Sequence, residues 1–299
     1  MDESLSHWLG LREAADAAAR SQALTRAIAE SLRASLRASI PGGEPVCVLD
    51  LATGTGSNIR YLADRLPGRQ RWLAVDRSAA LLAGLREQMS SWGASRGYDV
   101  RTTADRCVIR GARLECDVET RQINLDALDD PAIFAGRHLV TASALLDLVS
   151  ARWLRALAAT CRVEGAAALF TLTYNGQSSC APAEPEDGMV RELMNRHQKT
   201  DKGLGGPAEG PDAASCAERC FVEAGYQVQR VPSDWTLGSS DVEMQTVLIE
   251  GWMQAATEMA PDRASLIADW CARRLAHVDA GRSRVVVGHD DLAAWLPRE

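Results

Sequence analysis

The segment from Val48 to Asn58, VLDLATGTGSN, carries the residue types best suited to hold a ligand. An apolar run ends in Asp50, and Gly54 and Gly56 then lead into a stretch with helical spacing. Glycine lets a ligand lie directly against the main chain, because a Cβ atom would occupy that space. The first backbone N–H groups of a helix are unpaired and point toward such a turn. Strand, glycine turn and helix together predict a binding site.

A second carboxylate ends the next predicted strand, Arg71 to Asp76. Asp76 lies about 20 residues after Gly56, where an acid can accept hydrogen bonds from both ribose hydroxyls of a nucleoside. A dinucleotide site needs a third small residue at the position of Ile59, and a P-loop needs a lysine that this turn lacks. The pattern therefore favours a nucleoside ligand whose tail need not be a pyrophosphate.

The motif DLATGTGSN, followed by AVD, resembles the cofactor-binding half of class I S-adenosylmethionine-dependent methyltransferases, over roughly Val46 to Tyr174. The resemblance is to bacterial small-molecule enzymes, and it implies S-adenosyl-L-methionine as cofactor and methyl transfer to an O, N or C atom of a small acceptor. Whether Asn124 or Asp126 meets the adenine stays open. The implied cofactor-binding residues are Asp50, Ala52, Gly54, Gly56, Asn58, Asp76, Asn124, Leu125, Asp126 and Ser143.

The N-terminal helical segment repeats large or charged residues every four positions, at Trp8, Arg12, Asp16 and Arg20. Residues at this spacing share one helix face. We expect this face to cover the cofactor as a lid, with Arg20 near the cofactor's carboxylate. A salt-bridged surface helix would show the same spacing.

Methyl transfer asks the protein to position the acceptor and, where the acceptor carries a proton, to remove it. The segment HQKTDKGLGGPAEGP also resembles a loop of bacterial small-molecule methyltransferases, which implies an acceptor site there. The predicted catalytic residues are His197, Asp147 and Tyr174. The predicted substrate-binding residues are Leu146, Asn175, Gln198, Asp201, Lys202, Trp235 and His289.

Alternating apolar runs and helical stretches predict an α/β fold with a doubly wound, mostly parallel, seven-stranded sheet. This Rossmann-like methyltransferase fold would carry an N-terminal helical segment and helical insertions in its C-terminal half. We expect one domain over 1–299, with a lid at 1–40, a cofactor core at 45–174 and substrate-side insertions at 175–211 and 232–282. The stretch 175–211 is rich in Gly, Pro and Ser, which is typical of an irregular segment. The last strand is predicted over Ser283 to Gly288.

Composition limits the partners. The net charge of −7 argues against a nucleic-acid partner, and no apolar run approaches the roughly 18 to 20 residues of a membrane helix. The opening MDESLSHWLG lacks a basic region followed by an apolar run, so we expect a cytoplasmic address. The eight cysteines lack metal-ligand spacing, and no metal is expected.

Three other functions fit parts of this pattern. A regulator that binds S-adenosylmethionine without catalysis would carry the same glycine turn, because a fold does not establish catalysis. A nucleic-acid methyltransferase is disfavoured by the charge and by the SALLDL sequence where adenine-methylating enzymes carry an Asn/Asp-Pro-Pro-aromatic motif. An NAD-dependent oxidoreductase is disfavoured by Ile59.

Overall fold

The computed structural model describes residues 2–39, 44–112, 114–126, 128 and 130–297. The helices in these ranges are α1 (Asp2–Ala19), α2 (Gln22–Ser39), α3 (Ser57–Ala63), α4 (Ala79–Ser95), α5 (Ala151–Glu164), α6 (Asp187–Gln198), α7 (Ala213–Glu223), α8 (Val242–Met259) and α9 (Ala264–Asp279). The strands are β1 (Val46–Leu51), β2 (Arg69–Asp76), β3 (Asp99–Thr102), β4 (Arg106–Arg110), β5 (Glu115–Gln122), β6 (Leu139–Ser143), β7 (Ala167–Ala181), β8 (Gln227–Pro232), β9 (Trp235–Leu237) and β10 (Arg284–Trp295).

One sheet runs through the molecule in the order β3-β4-β5-β2-β1-β6-β7-β10-β8, with β9 also paired to β10. The five strands from β5 to β7 in this order are parallel, and the flanking strands are antiparallel. The predicted α/β class with a mostly parallel central sheet is confirmed. Among the residues that the structure describes, the sheet has ten strands and not the predicted seven, because it also contains β3, β4 and β9.

Helices cover both faces of this sheet, which explains why β1 and β6 are buried along almost their whole length. On β1, Leu49 and Leu51 pack with residues of α5 and α7, whereas Val46 and Val48 pack with residues of α2, α3 and α4. All four side chains are fully buried. The central strands are therefore held rigidly, and their carboxyl ends form a fixed edge.

Local capping fixes where several helices begin. Ser78 Oγ accepts a hydrogen bond from the backbone N–H of Leu81 at 3.2 Å, as expected for the N-cap of α4. Ser21 Oγ accepts one from the N–H of Leu24 at 3.2 Å. This second cap divides the N-terminal segment, predicted as one helical stretch, into α1 and α2.

Two predictions about the C-terminal half are wrong in their boundaries. The stretch 175–211 was expected to be irregular, but β7 continues through its start to Ala181 and α6 occupies much of the rest. The last strand does not end at Gly288, because β10 continues to Trp295. The two long strands pair with each other from Ala168 to Ala181, and this pairing satisfies backbone groups that sequence patterns assign to loops.

Within the described ranges, no helix is long and apolar enough to cross a membrane.

Two glycines of α4 provide a matched stability test. A Cβ atom at Gly93 would lie 2.6 Å from Val100 Cγ2, whereas one at Gly84 would lie 3.7 Å from Thr55 Cγ2, an ordinary contact. We expect Gly93→Ala to lower the free energy of unfolding by about 1–3 kcal/mol through overpacking. Gly84→Ala should raise it by up to about 1 kcal/mol, because alanine favours a helix. Urea unfolding measures both, and changes of the same sign would contradict this packing.

Candidate functional site

A cavity of about 430 Å³ lies at the carboxyl ends of the parallel strands, the usual ligand position in open α/β sheets. Its walls come from the segments at the ends of β1, β2, β5 and β6, and α1 covers it. The predicted site residues that line it are Asp50, Ala52, Gly54, Asn58, Asp76, Asn124, Leu125, Ser143 and Lys202. The structure thus brings together most of the cofactor residues that the resemblance implied.

The two glycines of the turn have different roles. Gly54 lines the cavity with φ +56°, and a Cβ atom there would lie 3.0 Å from Leu9 Cδ1 of α1. Gly56 does not line the cavity; with φ +80°, its Cβ would lie 2.8 Å from Leu85 Cγ of α4. Gly54 therefore allows close approach to the cavity, and Gly56 allows α3 and α4 to pack together.

Asp76 shapes the same turn from the end of β2. Its two carboxylate oxygens accept hydrogen bonds from the backbone N–H groups of Gly54 and Ser78, each at 2.9 Å. The residue is 7% exposed and lines the cavity. Because each carboxylate oxygen has a second lone pair, Asp76 can still accept hydrogen bonds from a ligand.

A buried network of polar side chains holds the glycine turn and the start of α3 in place. Asp50 accepts hydrogen bonds from Asn58 Nδ2 at 2.6 Å and Thr53 Oγ1 at 2.5 Å. Arg20 donates to Asn58 Oδ1 at 2.8 Å and to Ser143 Oγ at 2.9 Å. Burial raises the pKa of Asp50 to about 6, although both hydrogen bonds and Arg20 oppose this.

Arg20 therefore does not sit where a cofactor carboxylate was expected to meet it. It holds two residues of the cavity wall but does not line the cavity, whereas Arg12 and Asp16 do. Arg12 Nε donates to Asp16 Oδ2 at 2.9 Å, and Trp235 Nε1 donates to Asp16 Oδ1 at 3.0 Å. Of the helix face predicted to cover the cofactor, Arg12 and Asp16 line the cavity and Arg20 does not.

The cover also includes Leu5 and Leu9, which sequence reasoning missed. Their spacing to Arg12 places them on the same face, so the pattern contained the signal. Glu13 anchors the helix to α3, accepting from Arg60 Nε at 2.8 Å and from its terminal nitrogen at 2.5 Å. A two-point arginine–carboxylate pair of this kind fixes both position and orientation.

The segment after β5 supplies one end of the cavity. Asn124 and Leu125 line it, with Ile123 beside them, whereas Asp126 does not. Asn124 Nδ2 instead donates to Asp126 Oδ2 at 3.0 Å. Of the two residues left open by the sequence, Asn124 lines the cavity and Asp126 does not.

Asp147 follows β6, between the lining residues Leu145 and Leu148. Its Oδ1 atom is buried and has no hydrogen-bond partner among the described residues. Burial raises the pKa of this carboxyl to about 6, while Arg12 and Lys202 favour its charged form. Both of these cations line the cavity, although Asp147 does not. An acid with this pKa is largely ionised near neutral pH and can still accept a proton.

The acceptor loop predicted around His197 contributes less than expected. Lys202 reaches the cavity, and its Nζ donates to the carbonyl of His197 at 3.0 Å and to Thr200 Oγ1 at 2.9 Å. His197 itself lies in the last turn of α6, with Nε2 3.1 Å from Glu258 Oε2, outside the cavity. Gln198 lies against Gly210, and Asp201 accepts from the N–H of Gly203 at 2.7 Å.

The other predicted acceptor residues lie behind the cavity wall. Tyr174 donates to Asn195 Oδ1 at 2.8 Å, and Asn175 donates to Asp290 Oδ1 at 3.2 Å. Leu146 belongs to the core, and neither Trp235 nor His289 lines the cavity.

His289 lies within β10, not after it, with its ring centroid 4.5 Å from that of Trp235. Burial lowers the pKa of His289 to about 3, so the imidazole is neutral at physiological pH. The ring packs beside Arg12 and Tyr174, as part of the support for α1. The sequence placed His289 just after a strand that ends at Gly288, whereas β10 continues through this residue and buries it.

No protein-family model and no curated protein matches the chain. Similar solved structures include a putative sarcosine dimethylglycine methyltransferase from Galdieria sulphuraria, with 9% identity, coverage of 99% of this chain and 98% of that chain, and a TM-score of 0.45. The YcgJ protein from Bacillus subtilis has 14% identity, 90% and 99% coverage, and a TM-score of 0.45. The cyclopropane synthase MmaA2 from Mycobacterium tuberculosis has 9% identity, coverage of 89% of this chain and 82% of that chain, and a TM-score of 0.42. With values this low, what the site does has to follow from its own residues.

The raised pKa of Asp147 makes a testable contribution to stability. The folded protein holds this proton more tightly than the unfolded chain, whose carboxyl titrates near 3.8. The linked stability is fully present below about pH 4 and is lost as the pH rises through about 6. Asp147→Asn cannot ionise, so between pH 4 and pH 8 its free energy of unfolding should gain roughly 2–3 kcal/mol relative to the parent protein.

Urea unfolding of both proteins at the two pH values measures this difference. Asp50 is present in both, so its own titration cancels in the comparison. Parallel pH profiles for the parent and the variant would show that the Asp147 carboxyl is not held in its neutral form by burial.

Proposed function

We propose that this protein is an S-adenosylmethionine-dependent methyltransferase that acts on a small-molecule acceptor. The observation that carries the proposal is that one cavity joins the glycine turn after β1 to the carboxylate that ends β2. Gly54 provides the close main-chain approach, and Asp76 provides the acceptor for ribose hydroxyls. The cavity volume falls within the range of small-molecule sites, roughly 300–1,000 Å³.

The residues around the cavity fit the parts of this cofactor. Ile123 and Leu125 offer an apolar surface to an adenine, and the Asn124 side chain offers donors and an acceptor to its edge. Arg12 and Asp16 of α1 pair with each other in the cavity lining and are suited to a carboxylate and an ammonium. Arg20 acts indirectly, by holding Asn58 and Ser143 in place.

When bound, S-adenosylmethionine supplies a methyl group on a sulfonium sulfur. The protein then has to exclude water, orient the acceptor and take up any proton that the acceptor loses. The apolar residues Leu5 and Leu9 of α1 cover the cavity. Asp147 lies between the lining residues Leu145 and Leu148 without lining the cavity itself, and its Oδ1 has no partner among the described residues, so we assign it the uptake of a proton that is passed on from the cavity.

Lys202 has a separate part in this proposal. Burial lowers the pKa of its ammonium, and its Nζ is held by His197 and Thr200 at the edge of the cavity. A held cation beside an acceptor site can bind a polar group of the acceptor. His197 then acts by positioning Lys202 and not by removing a proton itself.

Calorimetric titration with S-adenosylmethionine, S-adenosylhomocysteine and NAD tests the cofactor. We expect saturable binding of the first two and none of NAD. Asp76→Ala should weaken S-adenosylmethionine binding by about 2–3 kcal/mol, or about 30- to 150-fold, because a carboxylate that accepts from the ligand is lost. Asp99→Asn, an exposed acid on β3, should leave the affinity unchanged.

Asp76 also accepts from two backbone N–H groups, so thermal unfolding of the variant must be measured alongside. A folded Asp76→Ala protein with unchanged affinity would remove Asp76 from the site. Tight binding of NAD without binding of S-adenosylmethionine would reject the proposed function altogether.

A further inference from the structure

A second cavity, of about 210 Å³, lies between α1, α3 and α4, outside the site just described. Its lining contains four arginines, Arg20, Arg60, Arg65 and Arg96, and two carboxylates, Glu13 and Asp16. The cavity therefore has a net positive lining in a chain whose net charge is −7. Such a local excess of arginine favours an anionic ligand.

Aromatic rings hold several of these guanidinium groups in place. Tyr61 has Arg20 at 4.7 Å and Arg65 at 3.9 Å from its ring centroid, and Trp92 has Arg96 at 4.6 Å. Stacking of this kind fixes the plane of a guanidinium group while leaving N–H groups free to donate. The arginines are thus arranged before any ligand binds.

Two buried groups in the lining lack partners. Arg20 is 4% exposed and Tyr61 is 7% exposed, yet Arg20 Nε and the Tyr61 hydroxyl have no hydrogen-bond partner among the described residues. Buried polar atoms are nearly always paired, and each exception needs an explanation. Both groups can donate, so a ligand with several acceptor oxygens would satisfy them together.

The two carboxylates of the lining accept hydrogen bonds from other groups and do not pair with Arg20 Nε or the Tyr61 hydroxyl. Glu13 is held by Arg60, and Asp16 accepts from Arg12 and Trp235. Arg96 Nε lies 3.4 Å from Asp64 Oδ2 in an exposed pair that solvent screens. Arg65 donates to the carbonyl of Tyr61 at 2.5 Å and has further N–H groups available.

We propose that this second cavity binds a phosphate group, either as the free ion or as part of a small phosphate monoester. Phosphate offers several acceptor oxygens and a charge near −2 at pH 7, which matches the two buried donors without partners among the described residues and the two exposed arginines of the lining. The cavity is too small for a nucleic acid or a protein segment to enter.

The cavity is coupled to the first one through Arg20 and Asp16. Asp16 lines both cavities, and Arg20 donates to Asn58 and Ser143 in the wall of the first. A phosphate oxygen on Arg20 Nε would fix the guanidinium group that holds these two side chains. The site therefore suits an effector whose binding steadies the first cavity.

Titration calorimetry of the whole protein with inorganic phosphate, glycerol 3-phosphate and acetate, at about 0.15 M salt, tests the proposal. We expect saturable one-to-one binding of a phosphate compound that is at least about tenfold tighter than acetate. Tighter binding of the monoester would assign the site to a phosphorylated small molecule, and tighter binding of the free ion would assign it to inorganic phosphate.

Tyr61→Phe and Arg65→Gln should each weaken phosphate binding about tenfold. Arg101→Gln, which changes an exposed arginine on β3, is the matched control and should leave the affinity unchanged. Without phosphate, Tyr61→Phe should keep or raise the melting temperature, because it removes an unpartnered hydroxyl. A merely structural role for Tyr61 would instead lower it.

Binding that does not saturate, or that Arg101→Gln weakens as much as Arg65→Gln, would overturn the proposal. Acetate binding as tight as phosphate would also overturn it. Because these measurements need no S-adenosylmethionine, the proposed function can fail while the phosphate site stands, and the reverse also holds.

Discussion

The buried guanidinium of Arg20 is the interaction on which the site depends. It hydrogen-bonds Asn58 of α3 and Ser143 of β6, and its charge is balanced by Asp16, Asp291 and Asp50. Asp291 in turn accepts from the backbone N–H of Ser21 at 2.7 Å, which holds the corner between α1 and α2 against β10. Removing one partner of such a network would leave a buried charge without compensation, which would destabilise the fold.

This network explains why a helix from the N-terminus covers the ends of strands that lie far away in sequence. The corner between α1 and α2 is fixed at Arg20 and Ser21, and α1 extends from there over the cavity. Along its length, Glu13 pairs with Arg60 and Asp16 accepts from Trp235. These polar anchors leave Leu5 and Leu9 to close the cavity, which combines a fixed base with an apolar cover.

Much of the cofactor side of the site could be predicted from the sequence because its determinants are local. The turn at Gly54 and the carboxylate of Asp76 follow buried strands, and parallel strands bring their carboxyl ends to one edge. The acceptor side depended on long-range pairing. His289 sits in GHDD, which has a turn-like composition, and only the pairing of β10 with β7 shows that it is buried. Likewise, nothing near His197 in sequence indicates its partner Glu258.

The same distinction bears on which group handles a proton. Histidine is favoured from sequence because its ordinary pKa lies near neutral pH. Burial here reverses that preference, since it lowers the pKa of His289 to about 3 and raises that of Asp147 to about 6. The imidazole thereby becomes a neutral packing group, and the carboxyl approaches the range useful to a general base. The protonation states of His289 and Asp147 thus follow from desolvation, which is a property of the folded chain and not of a motif.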